Sequence, residues 1–214
     1  MSRVAQDLLA SLPAPDLLSS EERRGIIARY SAVLEGNFIY WMTGAYLAAK
    51  SDQSRSIILG NLYEEVRDCH PGMLRRFAQA AQSVPNDADA FAVYPQLSEV
   101  RLFIGRLSAV PLIAMMTFFE DFIQQFMAYL ADLARRQGSV EQEYTDVHGI
   151  CDITHTEELF RALEAEMDLA SDSREPAEYV FEGVYLLRSL IQVIVAVPIY
   201  SSPVRDHGCY PNVN

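Results

Sequence analysis

Residues 112–138 read LIAMMTFFEDFIQQFMAYLADLARRQG, and this stretch decides the fold. Its apolar residues fall on nearly every face of a 3.6-residue period, and a helix apolar all round belongs in the middle of a bundle rather than on its surface. Helical patterns flank it on both sides. Upstream, SSEERRGIIARYSAVLEGNFIYWMTGAYLAAK (19–50) opens with Ser and Glu at capping positions and keeps apolar residues at helical spacing for several turns. RSIILGNLYEEVRDC (55–69) predicts a second helix. It ends or kinks near HPG (70–72) and resumes in MLRRFAQAAQ (73–82), because proline lacks a backbone donor and disfavours helix in the residue before it. VPNDADAFAVYPQ (84–96) carries the turn formers and reads as the longest connection, with room for a short helix. LSEVRLFIGRLSA (97–109) then predicts a helix ahead of Pro111. Downstream, 140–170 and 175–197 complete the set, and no segment alternates as a strand would. The reading is an all-α fold of seven or eight helices around one core. It forms a single domain over residues 1–200, followed by a C-terminal tail, SSPVRDHGCYPNVN (201–214).

Composition narrows the function. A chain of 214 residues, half of them hydrophobic, is long enough for one large core. Its 17 basic and 29 acidic residues leave a net charge of -12, which repels phosphate backbones and anionic membranes, so neither nucleic acid nor membrane is expected as a partner. The cysteines, Cys69, Cys151 and Cys209, are odd in number and form no CxxC. Neither a disulfide framework nor a thiolate zinc site is indicated, and a cytoplasmic location fits. The N-terminal MSRVAQDLLASLPAPDLL reads as a short amphipathic helix rather than a signal peptide. The longest apolar runs fall short of the roughly 20 residues that span a bilayer. The sequence offers no Walker loop and no GxGxxG.

The chemistry concentrates in HGICDITH (148–155). In a chain with only four histidines, His148, Asp152 and His155 stand at i, i+4 and i+7, within about one helical face. Two imidazoles and a carboxylate suit iron, manganese or zinc. Glu120 lies in the apolar run AMMTFFEDFIQQFM, where a buried carboxylate wants a cation or a hydrogen-bond network. Glu65 and His70 flank the helix break, which can turn both inward and leave Glu64 and Asp68 facing solvent. Glu35, in SAVLEGNF, is the remaining acid within a long apolar helix. Without a metal, the same residues read as surface histidines, an acidic stripe at Glu120 and Asp121, and a solvated Glu35. Four helices nevertheless each offer Glu, or His with a carboxylate, and helix bundles build di-iron sites from facing helices in that way.

These residues resemble a known family, the haem-oxygenase-like di-iron oxidases and oxygenases, which bind no haem. The resemblance rests on NLYEE (61–65) followed by HP (70–71), then FFE (118–120), then HGICDITH, and it spans roughly residues 20–200. It implies a haem-oxygenase-like bundle of about seven helices and the ligands Glu65, His70, Glu120, His148, Asp152 and His155, with Glu35 as the counterpart of a further carboxylate found in part of the family. The Glu-to-His interval in the second helix is shorter here than in the family pattern. The resemblance further implies two ferrous ions per chain, dioxygen as co-substrate and an external reductant. The reactions are N-oxygenation, desaturation or oxidative carbon–carbon cleavage of a small amino-acid-like or carboxylate substrate, commonly in natural-product biosynthesis. A branch that consumes its own lysine is disfavoured, because the central helix has none.

Tyr40, Trp41, Tyr63, Phe118, Phe119 and Tyr185 are candidates to shape the substrate pocket, and Arg101, Arg106 or Arg188 to pair with a carboxylate. Of these, Tyr40, Tyr63, Phe119 and Arg188 are the expected substrate contacts. A homodimer is compatible with the apolar content. The competing readings are a metal-free enzyme of the same fold, thiaminase-like or a cofactorless oxidase, and a non-catalytic helical interaction protein. A haem oxygenase proper would want an axial histidine near the N-terminus, and none precedes His70.

Overall fold

The computed structural model describes residues 1–170 and 177–197, the side chains of 150–152, 177 and 178 excepted. The expected tail, 201–214, lies outside the described residues. Among the described residues the protein is all-α, with nine helices and no strand. They are α1 (Ser2–Ala10), α2 (Ser20–Ala48), α3 (Asp52–Arg67), α4 (His70–Ala80), α5 (Asp87–Ile104), α6 (Ala109–Arg136), α7 (Glu143–Leu169), α8 (Ala177–Val180) and α9 (Glu182–Ile194).

Local chemistry explains the boundaries. Ser19 caps α2 through a capping box, its Oγ accepting from the Glu22 N–H at 3.3 Å while Glu22 Oε2 accepts from the Ser19 N–H at 2.7 Å. Ser51 caps α3. The segment expected as the longest connection is instead the start of α5. Asn86 and Asp89 form a capping box, and the helix then runs straight through Pro95. Pro95 is exposed, as is Phe91 one turn earlier, so the carbonyl that proline leaves unbonded can turn to water.

The apolar helix α6 is central, as its composition predicts. Every residue from Pro111 to Glu120 is buried, and α6 packs most extensively on α7, then on α2, α9 and α1. Phe118, Phe122 and Phe126 stack along it with ring centroids 6.4 and 5.2 Å apart. Burial of each such side chain stabilises by roughly 1.5–3 kcal/mol. At Gly183, a Cβ would lie 2.6 Å from Phe103 Cε1 and 2.8 Å from Met115 Cβ, so α9 can cross α5 and α6 this closely only with glycine there.

Two contacts set α3 against α7. Buried Glu166 accepts from the Lys50 and Ser51 N–H groups at 2.8 and 2.7 Å through Oε1, and Ser54 Oγ donates to the Ala162 carbonyl at 2.9 Å. The N-terminal end of α3 is thereby pinned to the C-terminal half of α7. The helices run antiparallel, and the far end of α3 arrives beside the N-terminal half of α7, where His148 stands. No described helix is long and apolar enough to cross a membrane.

Candidate metal centre

Five residues apart on one continuous helix, Glu65 and His70 would point about 140° away from each other. The chain breaks between them. After α3, Cys69 adopts a left-handed conformation (φ 56°, ψ 44°), and α4 starts afresh at His70 with Pro71 in its first turn. The break turns both side chains inward. His70 Nδ1 and Glu65 Oε1 lie 2.7 Å apart, and both residues are buried. Of the two adjacent acids in NLYEE, Glu65 is therefore the one that faces in.

The third member comes from α7. The His148 ring lies 4.6 Å from that of His70, centroid to centroid. Its Nδ1 is 2.9 Å from the Tyr144 carbonyl. A carbonyl can only accept, so Nδ1 carries the proton and Nε2 keeps its lone pair. That Nε2 stands 3.9 Å from Glu65 Oε1. One ligand atom from each of Glu65, His70 and His148 lies within 4.8 Å of the other two, so these three buried side chains could hold a metal ion between them. An oxygen and two imidazole nitrogens form a donor set that suits a first-row divalent metal. An ion here would replace the proton shared between His70 and Glu65.

Glu120, from α6, is buried and lines the same cavity, together with Tyr30, Leu34 and Phe38 of α2 and Phe119 and Ile123 of α6. The cavity encloses about 410 Å³ of non-atom space, its open mouth included. Buried tyrosines that the sequence reading passed over complete the wall. The Tyr144 ring packs 4.3 Å from that of His148, and its hydroxyl lies 2.8 Å from that of Tyr30. Tyr144 stands four residues before His148, on the same helical face, and that spacing was the available signal.

Burial and charge act oppositely on the two histidines. Desolvation drives His148 down to about 4, against the attraction of Glu65. Desolvation also pulls His70 down, yet the hydrogen bond and charge of Glu65, with Asp68 and Glu64 behind, outweigh it and leave His70 raised. The pair thus favours a proton on His70 rather than on His148, and His148 is held in the neutral form that ligation requires.

The remaining candidates fall elsewhere. His155 is buried, but its Nε2 is 3.1 Å from Glu64 Oε2, so Glu64, expected to face solvent, is half-buried as that histidine's partner. The side chain of Asp152 lies outside the described residues, although its backbone continues α7. Glu35 does not join the cluster: it pairs with Arg75 across α2 and α4, where it is partly exposed. Tyr40, Tyr63 and Tyr185 are exposed, and Arg67 sits over the Tyr63 ring. Of the expected substrate contacts only Phe119 lines the cavity. Phe118 is packed in the α6 ring stack, Arg101 donates to Asn37 Oδ1 and Arg106 pairs with Glu182. Arg188 is half-buried on α9 and lines neither this cavity nor a second one beside it.

No family model matches the chain, and no curated protein and no solved structure matches it either. The resemblance to the haem-oxygenase-like di-iron family therefore stands on the motifs alone.

Proposed function

We propose that the chain is a haem-oxygenase-like helical bundle housing non-haem iron, an oxidase or oxygenase that uses dioxygen to oxidise a small amino-acid-like or carboxylate substrate. The reaction classes are N-oxygenation, desaturation or oxidative carbon–carbon cleavage, with electrons from an external reductant. The observation that carries this reading is the buried Glu65, His70 and His148 cluster facing one cavity with Glu120. The cluster offers one carboxylate oxygen and two imidazole nitrogens to a single ion, a donor set suited to a first-row divalent metal.

In this reading Glu65, His70 and His148 would hold the first iron, and Glu120 with Asp152 and His155 would hold the second. When bound, ferrous iron supplies the electrons that dioxygen needs to react with an organic molecule. The chain does the rest. The Tyr144 carbonyl fixes the His148 tautomer and aims Nε2 at the site. Leu34, Phe38, Phe119 and Ile123 keep the cavity wall apolar, which excludes water and strengthens every charge interaction inside. Glu64 holds the His155 ring in place until a ligand competes for its Nε2.

A second reading is favoured by one specific observation: the described donors gather into a single group of three, and His155 is engaged by Glu64. Two histidines and one carboxylate with open positions are the ligand set of mononuclear iron oxygenases. Anaerobic titration with ferrous iron separates the two. About two ions per chain supports the di-iron reading and one ion the mononuclear one. Substrate-dependent oxygen uptake, screened over amino acids and aliphatic carboxylates, tests the activity in either case. No iron uptake would remove both.

A further inference from the structure

A substrate carboxylate finds no cationic side chain inside the metal pocket. The lining includes no Lys or Arg, and Glu65 and Glu120 are acids, so a carboxylate drawn fully inside would face like charges. Two of the arginines expected to pair with it are engaged elsewhere, Arg101 with Asn37 and Arg106 with Glu182.

The way in is better equipped. Of the residues that line the pocket, only Phe38, Ile39 and Pro71 are not buried, so the pocket opens between α2 and α4. Glu35 stands three and four residues before Phe38 and Ile39 on α2, and Arg75 four residues after Pro71 on α4, so each shares a helical face with the residues of the opening. The two join α2 to α4 beside it. Arg75 Nε donates to Glu35 Oε1 at 2.8 Å, and a second nitrogen of the same guanidinium donates to that same oxygen. Arginine holds a carboxylate best when two nitrogens take two oxygens, and here both converge on one. The Arg75 side chain is 61% exposed, and an exposed ion pair is held weakly. An incoming carboxylate that offers both of its oxygens can therefore displace Glu35.

We infer that Arg75 is the specificity residue for the substrate's carboxylate: it captures that group at the opening in place of Glu35, while the other end of the molecule enters towards Glu65, His70 and His148. The second part rests on the metal reading above; capture at Arg75 does not. Arg75 stands five residues beyond His70, about 7.5 Å along α4 and about 140° around it, so the carboxylate stays away from the metal cluster and oxidation falls on an atom remote from it. Cleavage of the bond to the carboxylate carbon is thereby disfavoured among the reaction classes.

The neighbouring arginine supplies a control, since Arg76 pairs with Glu143 on the α7 side of α4. The experiment titrates protein kept metal-free by a chelator with amino acids and short alkanoates, each beside its primary amide, followed by ligand-observed NMR and calorimetry, and repeats the titration after anaerobic loading with ferrous iron. The expected result is saturable binding that favours the carboxylate over its amide by about three- to tenfold. Arg75→Gln should erase that preference, Arg75→Lys should keep part of it, and Arg76→Gln should leave it unchanged. Glu35→Gln, which frees the guanidinium, should tighten the carboxylate by about two- to fivefold. If Arg75→Gln loses its helical signal, Arg75→Lys and Glu35→Gln carry the test. No saturable binding of any carboxylate, a preference that survives Arg75→Gln, or indifference to Glu35→Gln would overturn the proposal. Arg75-dependent binding without iron uptake would refute the metal reading alone, and iron uptake with carboxylate binding indifferent to Arg75 would refute this proposal alone.

Discussion

The opposed histidines make a prediction that needs no metal. His148 is held near 4 in the folded protein by desolvation, against 6.5 as its ordinary value. Its folded value is depressed, so the unfolded chain binds a proton first as the pH falls. The stability associated with neutral His148 is fully present above about pH 6.5 and is lost progressively as the pH drops towards 4. Between pH 7 and pH 5 that loss amounts to about 2 kcal/mol. His70 acts in the opposite sense. Its folded value is raised, so its contribution is present below the ordinary histidine value and is lost as the pH rises through the raised one. His148→Gln removes the first effect and keeps His70 with Glu65. Urea unfolding of the metal-free wild type and variant across this range, with a chelator present, isolates the His148 contribution as a difference. The wild type should lose about 2 kcal/mol more than the variant on going from pH 7 to pH 5. Parallel pH profiles would show that His148 is not buried as a neutral ring, and the tautomer argument would fall with it.

Other outcomes follow from single contacts. Glu65→Ala and His70→Ala should each weaken ferrous or cobaltous ion binding by more than the roughly 10- to 100-fold typical of a supporting partner, read by equilibrium dialysis. Glu35→Ala should leave metal binding unchanged and cost less than about 1 kcal/mol, since it removes only a partly exposed pair with Arg75; a lost metal would restore Glu35 as a ligand. Glu166→Ala should cost about 1–3 kcal/mol in urea unfolding without altering the metal site, because two backbone N–H groups at the start of α3 lose a buried charged acceptor. Cys69→Gly should retain the site and gain up to about 1 kcal/mol, glycine adopting the left-handed conformation at φ 56° without the Cβ penalty.

How far the sequence could be read depended on the range of each interaction. The apolarity of residues 112–138 reported α6 as the central helix because its first half, Pro111 to Glu120, is buried on every side and so is marked at nearly every position. Pro71 announced the break at His70. The same reasoning misjudged Pro95, because whether proline stops a helix depends on what surrounds the freed carbonyl, and at α5 that side is open to water. The left-handed Cys69 carried no signal, since neither glycine nor asparagine stands there. Glu35 looked like a ligand because its partner, Arg75, is 40 positions away, and a salt bridge between helices leaves no periodicity. Tyr144 shares the face of His148 and could have been noticed. Trp41 was among the candidate pocket residues, but that its indole N–H lacks a partner is a property of the packed bundle alone.

The central claim is that Glu65, His70 and His148 together hold a metal. Crystals of the protein soaked anaerobically in ferrous or manganous salt, with diffraction collected at the metal's absorption edge, test it most directly. The account predicts an anomalous peak within about 2.0–2.2 Å of a Glu65 carboxylate oxygen and of one nitrogen each from His70 and His148. A peak confined to Glu64 and His155, or no peak at all in a protein that diffracts with the cluster intact, would contradict it.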